Sequence, residues 1–383
     1  MRYGKAALAA VATVVIGMLI LWAAQPKPVA LAGRQTFDAS EEGWFGYGRG
    51  ARVRVTTDPQ HVRQGIGALE LEYTPAPSQF GSAVVLVEDG SLAELRRLRF
   101  WIKTDDDTAT AVVLSEKRPN GGDYSAWFWS PKQRWQHIEL FPEDFALNEG
   151  PADAKDANGR LDVAELQGVG LIDLGQFFGL ISADREYPLV LKTTTGTHYI
   201  HVDDFEILRD QTPSEAKMSR IGDPARGFIS WFTLGGATLS LSKPGHPLAR
   251  AAYEVNYDQT QTKYVAIVHG LSNLELGHAT RLGFDAASLK PATVIVYLEE
   301  RNPGNEVGPR YSATLEVAGG STPSRRTLAI SDFVHDPTGP TDPDGRLTPG
   351  RLRSISLIDV TGATLSGPER NTLWISSIEA IAQ

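Results

Sequence analysis

Alternation of apolar and polar residues marks short strands along most of this chain. Ala68-Leu69-Glu70-Leu71-Glu72-Tyr73, Leu98-Arg99-Phe100-Trp101-Ile102-Lys103 and His137-Ile138-Glu139-Leu140 each carry the period of two that a half-buried strand requires. Tyr253-Glu254-Val255-Asn256-Tyr257 and Val294-Ile295-Val296-Tyr297-Leu298 do the same further on. The stretches between are rich in Gly, Pro, Asn and Asp, the residues that turns need. Two short helical starts interrupt the pattern. One is at Asp162, with Glu165 as a capping-box partner, and the other at Thr348, with Pro349 at the first helical position. Many short strands with turn signals between them predict an all-β sandwich, and at this length a jelly roll.

The pattern occurs twice. Trp44-Phe45 recurs as Trp231-Phe232, Tyr124-Ser125-Ala126 as Tyr311-Ser312-Ala313, Gly159-Arg160-Leu161 as Gly345-Arg346-Leu347, and Leu171-Ile172-Asp173 as Leu357-Ile358-Asp359. Gly50 to Val55 matches Gly236 to Leu241 in the same order, all at an offset of roughly 186 to 188 positions. That period is far too long for a solenoid unit, so it describes two copies of a whole domain. The expected organisation is a leader over residues 1–32, a jelly-roll domain over 36–208, a polar linker over 209–226 and a second jelly-roll domain over 227–383.

The two copies can be read against each other. In the second, Tyr311, Ala313, Leu315 and Val317 alternate with Ser312, Thr314 and Glu316, so the first set faces the core and the second faces out. Carried to the first copy, this phase points Tyr124, Ala126 and Phe128 inward and Ser125, Trp127 and Trp129 outward. Two indoles on one face of a strand stand about 7 Å apart, the order of spacing between adjacent sugar rings. Their flat faces suit the apolar C–H face of a sugar. The alternative is that another element covers them, since large aromatics are mostly buried. Glu116 and Arg118 in the first copy, and Glu300 and Arg301 in the second, offer a carboxylate and a guanidinium for vicinal hydroxyls, or else a solvated ion pair at a strand end. Trp44, Trp135 and Trp231 are assigned to packing.

Phe37-Asp38-Ala39-Ser40-Glu41-Glu42-Gly43-Trp44, Gly65 to Tyr73, Trp135-Gln136-His137-Ile138-Glu139-Leu140 with Phe145, and Tyr199-Ile200-His201-Val202-Asp203-Asp204-Phe205 occur in order along the first copy. Together they resemble the galactose-binding-like superfamily, in particular family 11 carbohydrate-binding modules and complex I intermediate-associated protein domains. The resemblance reaches the second copy mainly through the repeat. It implies a structural Ca²⁺ tying the first strand to the last, at Asp38 and Asp204. The second copy has Ser376-Ser377 where the first has Asp203-Asp204, so the metal is expected in the first domain only.

Charge and composition narrow the function. A net charge of −9 argues against nucleic acid, whose phosphates need a basic surface. The absence of cysteine excludes disulfides and thiolate metal sites. Arg2 and Lys5 precede an apolar run from Ala6 to Ala24, and Ala30-Leu31-Ala32 supplies a small-x-small cleavage pattern. The run is also long enough to span a bilayer as an uncleaved anchor. Export to a periplasmic, cell-surface or secreted location is expected either way, with membrane contact only through this segment. Asp156 to Gly159 and Asp342 to Gly345 lack the ligand ladder of a calcium loop and read as turns. His198 and His201 on the closing strand have no third ligand in view. No metalloprotease helix, nucleophile elbow or phosphate loop is present.

The chain is therefore expected to be a non-catalytic binder of a polysaccharide or glycan. An envelope scaffold or assembly factor with protein partners is the alternative. A β-sandwich glycoside hydrolase or lyase is a third reading, because a catalytic carboxylate pair has no sequence spacing rule.

Overall fold

The computed structural model describes residues 26–382 apart from 32, 49, 76–79, 149–152, 155, 157, 177–195, 211–219, 261–263, 272–275, 303–307 and 365–369. The apolar run of the expected leader lies outside the described residues. Among the described residues no helix is long and apolar enough to cross a membrane. The described residues divide into two compact units, one up to Asp210 and the other from Arg220 onward.

The first module contains β1 (Gly33–Gln35), β2 (Phe45–Tyr47), β3 (Arg52–Thr56), β4 (Ala68–Tyr73), β5 (Ser82–Leu86), β6 (Arg97–Thr104), β7 (Thr108–Glu116), β8 (Asp123–Ser130), β9 (Gln136–Leu140), β10 (Ala146–Leu147), β11 (Leu166–Asp173) and β12 (His198–Leu208). They form two antiparallel sheets. One runs β3-β4-β12-β6-β9, with β1 beside β12, and the other runs β10-β8-β7-β11-β5-β2. This is the all-β sandwich that the alternation predicts.

The inner faces meet through aromatics. Phe100 of β6 lies 6.1 Å from Phe128 of β8 and 5.4 Å from Phe205 of β12, and Trp44 packs edge-on to Phe205. Each such ring taken out of water contributes on the order of 1.5–3 kcal/mol. Trp44 also spends its indole N–H on Gln35 Oε1 at 3.0 Å.

The second module contains β13 (Arg220–Ile221), β14 (Trp231–Leu234), β15 (Thr238–Leu241), β16 (Ala252–Asp258), β17 (Val265–Gly270), β18 (Arg281–Ser288), β19 (Ala292–Glu300), β20 (Arg310–Val317), β21 (Ser324–Ala329), β22 (Val334–His335), β23 (Leu352–Asp359), β24 (Arg370–Ser376) and β25 (Ile378–Ile381). Its sheets run β13-β25-β18-β24-β16-β15, with β21 beside β18, and β14-β17-β23-β19-β20-β22. Trp231 is buried 5.2 Å from Tyr253.

Both modules start earlier than the sequence reading sets them. Val29 bridges to Val87 and Leu31 is buried, so these two residues already pack with the first module. Arg220 and Ile221, inside the expected linker, pair with β25. The helix starts are single 3-10 turns, Val163–Glu165 and Pro349–Arg351, and neither has a side-chain cap. Trp135 is half-buried at the head of β9 rather than in the core.

Candidate functional site

The phase inference holds for the backbone of β8. Tyr124, Ala126 and Phe128 are buried on the inner face, and Ser125 and Trp127 are half-buried on the outer one. Thr314 and Glu316 of β20 are exposed, as their phase requires. Trp129 departs from the expectation. It is on the outward phase but only 2% exposed, so the paired indole platform does not form. Strand phase fixes the side of the sheet and says nothing of what the fold lays over that side.

The register defines the outer face around Trp127. Trp127 pairs with Ala111, Ala111 with Ile172, Ile172 with Ser82 and Ser82 with Tyr47. This row crosses five strands, roughly 19 Å at the usual inter-strand spacing. Its two ends, Trp127 and Tyr47, are half-buried aromatics, and the small and aliphatic residues between them are closed to solvent. The rim at Trp127 is the accessible aromatic part of β8.

Polar partners stand beside it. Ser125 shares the outer phase of β8, about 7 Å from Trp127 along the strand. Its hydroxyl donates to Asn148 Oδ1 at 2.8 Å, while Asn148 Nδ2 is buried and has no hydrogen-bond partner among the described residues. Asn148 follows β10, which pairs with β8 through Ala146 and Ser125. An indole face next to the Ser125–Asn148 pair combines what a sugar ring needs: a flat apolar surface and oriented polar groups. Sequence reading missed Asn148, because only the β10–β8 pairing brings it to Ser125.

The predicted carboxylates do something else. Glu116 and Glu300 are 2% and 0% exposed. Glu116 accepts the backbone N–H groups of Gly122 at 3.0 Å and Asp162 at 2.5 Å, and Glu300 accepts that of Thr348. Burial pushes both carboxyls above the usual carboxylate range, and these backbone hydrogen bonds oppose it. They clamp the loops at one end of each sandwich and do not face a ligand. The signal was available in the sequence, since Glu300 is in phase with Val294, Val296 and Leu298 and therefore points inward. Arg118 pairs with Asp123 at 2.6 Å and reaches the Gly121 carbonyl. Arg301 enters through its backbone, whose N–H meets the Arg351 carbonyl at 2.7 Å.

The predicted calcium residues are both supplied with donors by the protein. Asp38 Oδ1 accepts from the backbone of Ile66 at 2.7 Å and Gly67 at 3.1 Å, which lowers its pKa. Asp204 is paired with the Arg34 guanidinium, whose pKa is raised in turn. A hard cation that wants six to eight oxygens would meet a positive charge already in place. Asp156 and Asp342 serve turns, as expected. Asp156 accepts the N–H groups of Asn158 and Arg160, and Asp342 those of Asp344 and Arg346.

Searches against protein-family models and curated proteins found no match. Among solved structures, the chain is similar to the family 11 carbohydrate-binding module of Clostridium thermocellum in complex with a β-1,3-1,4-mixed-linked tetrasaccharide. Identity is 17%, over 43% of this chain and 95% of that one, with a TM-score of 0.33. It is also similar to the N-terminal tandem CBM22-1–CBM22-2 domain of Paenibacillus barcinonensis Xyn10C, at 11% identity over 92% of this chain and 98% of that one, with a TM-score of 0.30. An exo-β-agarase matches at 13% identity over 50% of this chain and 27% of its own, with a TM-score of 0.34. The functional reading rests on the residues above and not on these likenesses.

Proposed function

We propose that this chain is an exported, non-catalytic carbohydrate-binding protein whose first module takes a sugar ring on the Trp127 rim. The observation that carries the reading is Trp127 standing half-buried and outward on β8 beside the hydrogen-bonded Ser125–Asn148 pair. One stacked ring adds about 0.5–1.5 kcal/mol beyond area burial, which places affinity for a polysaccharide in the range of about micromolar to millimolar. The apolar N-terminal run directs the rest of the chain across a membrane, as a cleaved leader or as an anchor.

The test is retention of the full chain on a polysaccharide panel. Trp127→Ala should abolish retention and Asn148→Ala should weaken it, with Tm nearly unchanged in both. Retention that survives Trp127→Ala sinks the site, and turnover of the retained polysaccharide sinks the non-catalytic reading. A Ca²⁺ between Asp38 and Asp204 is carried as a separate proposal, in which the ion displaces Arg34. It requires a Tm that falls with chelator and is restored by Ca²⁺, with that response lost in Asp38→Asn; a Tm indifferent to Ca²⁺ rejects it.

A further inference from the structure

The outer face of the other sheet of the first module carries a cluster that the sugar reading does not use. Glu70 of β4 and His201 of β12 are directly paired in the register, and Lys103 of β6 is the next residue in the row. The loop between β3 and β4 lies over them and brings His61 to the same point. His201 Nε2 is 3.0 Å from Glu70 Oε2, and His61 Nδ1 is 3.9 Å from that same oxygen. The two imidazoles lie 4.1 Å apart, centroid to centroid. One donor atom from each of the three residues falls within 4.8 Å of the others.

The loop that supplies His61 is strapped down at several points. Asp203 Oδ2 accepts the N–H groups of Arg63 at 2.7 Å and Gln64 at 2.8 Å. Asp38 takes those of Ile66 and Gly67. The Arg63 guanidinium lies 4.4 Å over Trp101. Lys103 Nζ donates to the Gln60 carbonyl at 2.8 Å, which commits this cation to the loop backbone. His61 is thus presented by a held segment. Its side chain is 30% exposed while those of Glu70 and His201 are 5% and 3% exposed, so the cluster is open on one side only.

We infer that His61, Glu70 and His201 form a binding site for a divalent transition-metal cation of the Zn²⁺ class. Two imidazoles and one carboxylate suit zinc and its neighbours, and do not suit the all-oxygen demand of Ca²⁺. Tetrahedral ligands at zinc bond lengths stand about 3.3 Å apart, close to the two observed edges. Arg54 occupies Glu70 Oε1 at 2.7 Å, which orients the carboxylate and leaves Oε2 as a single ligand. The fourth position falls to water on the His61 side. With Nε2 of His201 on the metal, the ring proton moves to Nδ1, which is buried and has no hydrogen-bond partner among the described residues. That cost holds the site below the affinity of a closed structural zinc centre, in the range of about micromolar.

The second module supplies a built-in contrast. Glu254 stands where Glu70 does, but its partner in the register is Trp374, whose indole N–H reaches Glu254 Oε2 at 3.0 Å. Ala287 pairs with Trp374 where Lys103 pairs with His201. Leu248, Ala252 and Ala287 close this place as an apolar cluster against Trp374. The carboxylate recurs, and His246 holds the turn position of His61, but an indole stands where the strand imidazole does.

The experiment is titration of the untagged, chelator-stripped full chain with Zn²⁺ alone, followed by calorimetry and by Tm, with Ca²⁺ and Mg²⁺ in parallel. One equivalent of Zn²⁺ should bind and raise Tm, and Ca²⁺ and Mg²⁺ should not do so through these residues. His61→Ala should weaken that equivalent by at least about tenfold with the metal-free Tm nearly unchanged, and His201→Gln should remove it. No saturable Zn²⁺ binding, or binding that is the same in His61→Ala, overturns the site. If His201→Gln does not fold, His61→Ala alone decides. The outcome is independent of retention on polysaccharide.

Discussion

The two modules agree inside and differ outside. In the first, the Tyr73 hydroxyl donates to Asp173 Oδ2 at 2.5 Å; in the second, Tyr257 does the same to Asp359. Tyr124 meets Asp156 as Tyr311 meets Asp342, and Glu116 and Glu300 clamp matching loops. These pairs sit at sandwich ends, where a buried polar group must be satisfied or the end does not close. The outer faces have no such obligation, and there the copies part. Trp127 and Trp129 stand in the places of Thr314 and Glu316. His201 and Lys103 stand in those of Trp374 and Ala287. A duplicated fold keeps the hydrogen bonds that close its ends and varies the outer faces of its sheets, even where, as at Trp129 and His201, those faces are covered.

The largest expected effect tests the burial of Trp129 against its exposed counterpart. Trp129→Ala should cost about 3–5 kcal/mol by denaturant unfolding, whereas Glu316→Ala should stay within about 0.5 kcal/mol. A small loss at Trp129 would restore the exposed platform. The internal agreement is tested next. Tyr73→Phe and Tyr257→Phe each remove a donor from a buried carboxylate and should each cost about 1–3 kcal/mol. A loss confined to one module would break the equivalence.

The smallest effect is one of pH. His198 Nδ1 lies 3.2 Å from Asp105 Oδ1, and this hydrogen bond raises the imidazole pKa above its ordinary value. The folded state therefore holds the proton more tightly than the unfolded chain. The stabilisation is complete below the unfolded value of about 6.5 and is lost as pH rises through the higher folded value. The matching residue of the second module is Asn371, which does not titrate and instead donates to the Tyr257 hydroxyl at 3.2 Å. His198→Asn should flatten the fall in Tm as pH rises above about 6.5. An unchanged Tm–pH profile would remove His198 as its source.

Much of this was legible beforehand. Alternation gave the strands, the repeat gave two modules, and the phase of β20 oriented Tyr124, Ala126, Phe128 and Trp127 correctly. The inward phase of Glu300 was also legible, and it argues against the ligand role the sequence reading gave that residue. Other features were not legible for a physical reason. His61, Glu70 and His201 are scattered along the chain and meet only through a strand register and a strapped loop. Asn148 reaches Ser125 through a two-residue strand too short to carry a periodic signal. Nothing linear shows Arg34 lying against Asp204.

The sequence by itself determined the all-β class, the duplication and the side of each sheet that a residue takes, because all three follow from periods local to the chain. The tertiary structure decided which outward residues meet solvent, which carboxylates are spent on backbone N–H groups and which histidines share a carboxylate. Those outcomes depend on what distant segments lay over a face, and a side chain's burial and partners are properties of that neighbourhood and not of its position in a strand.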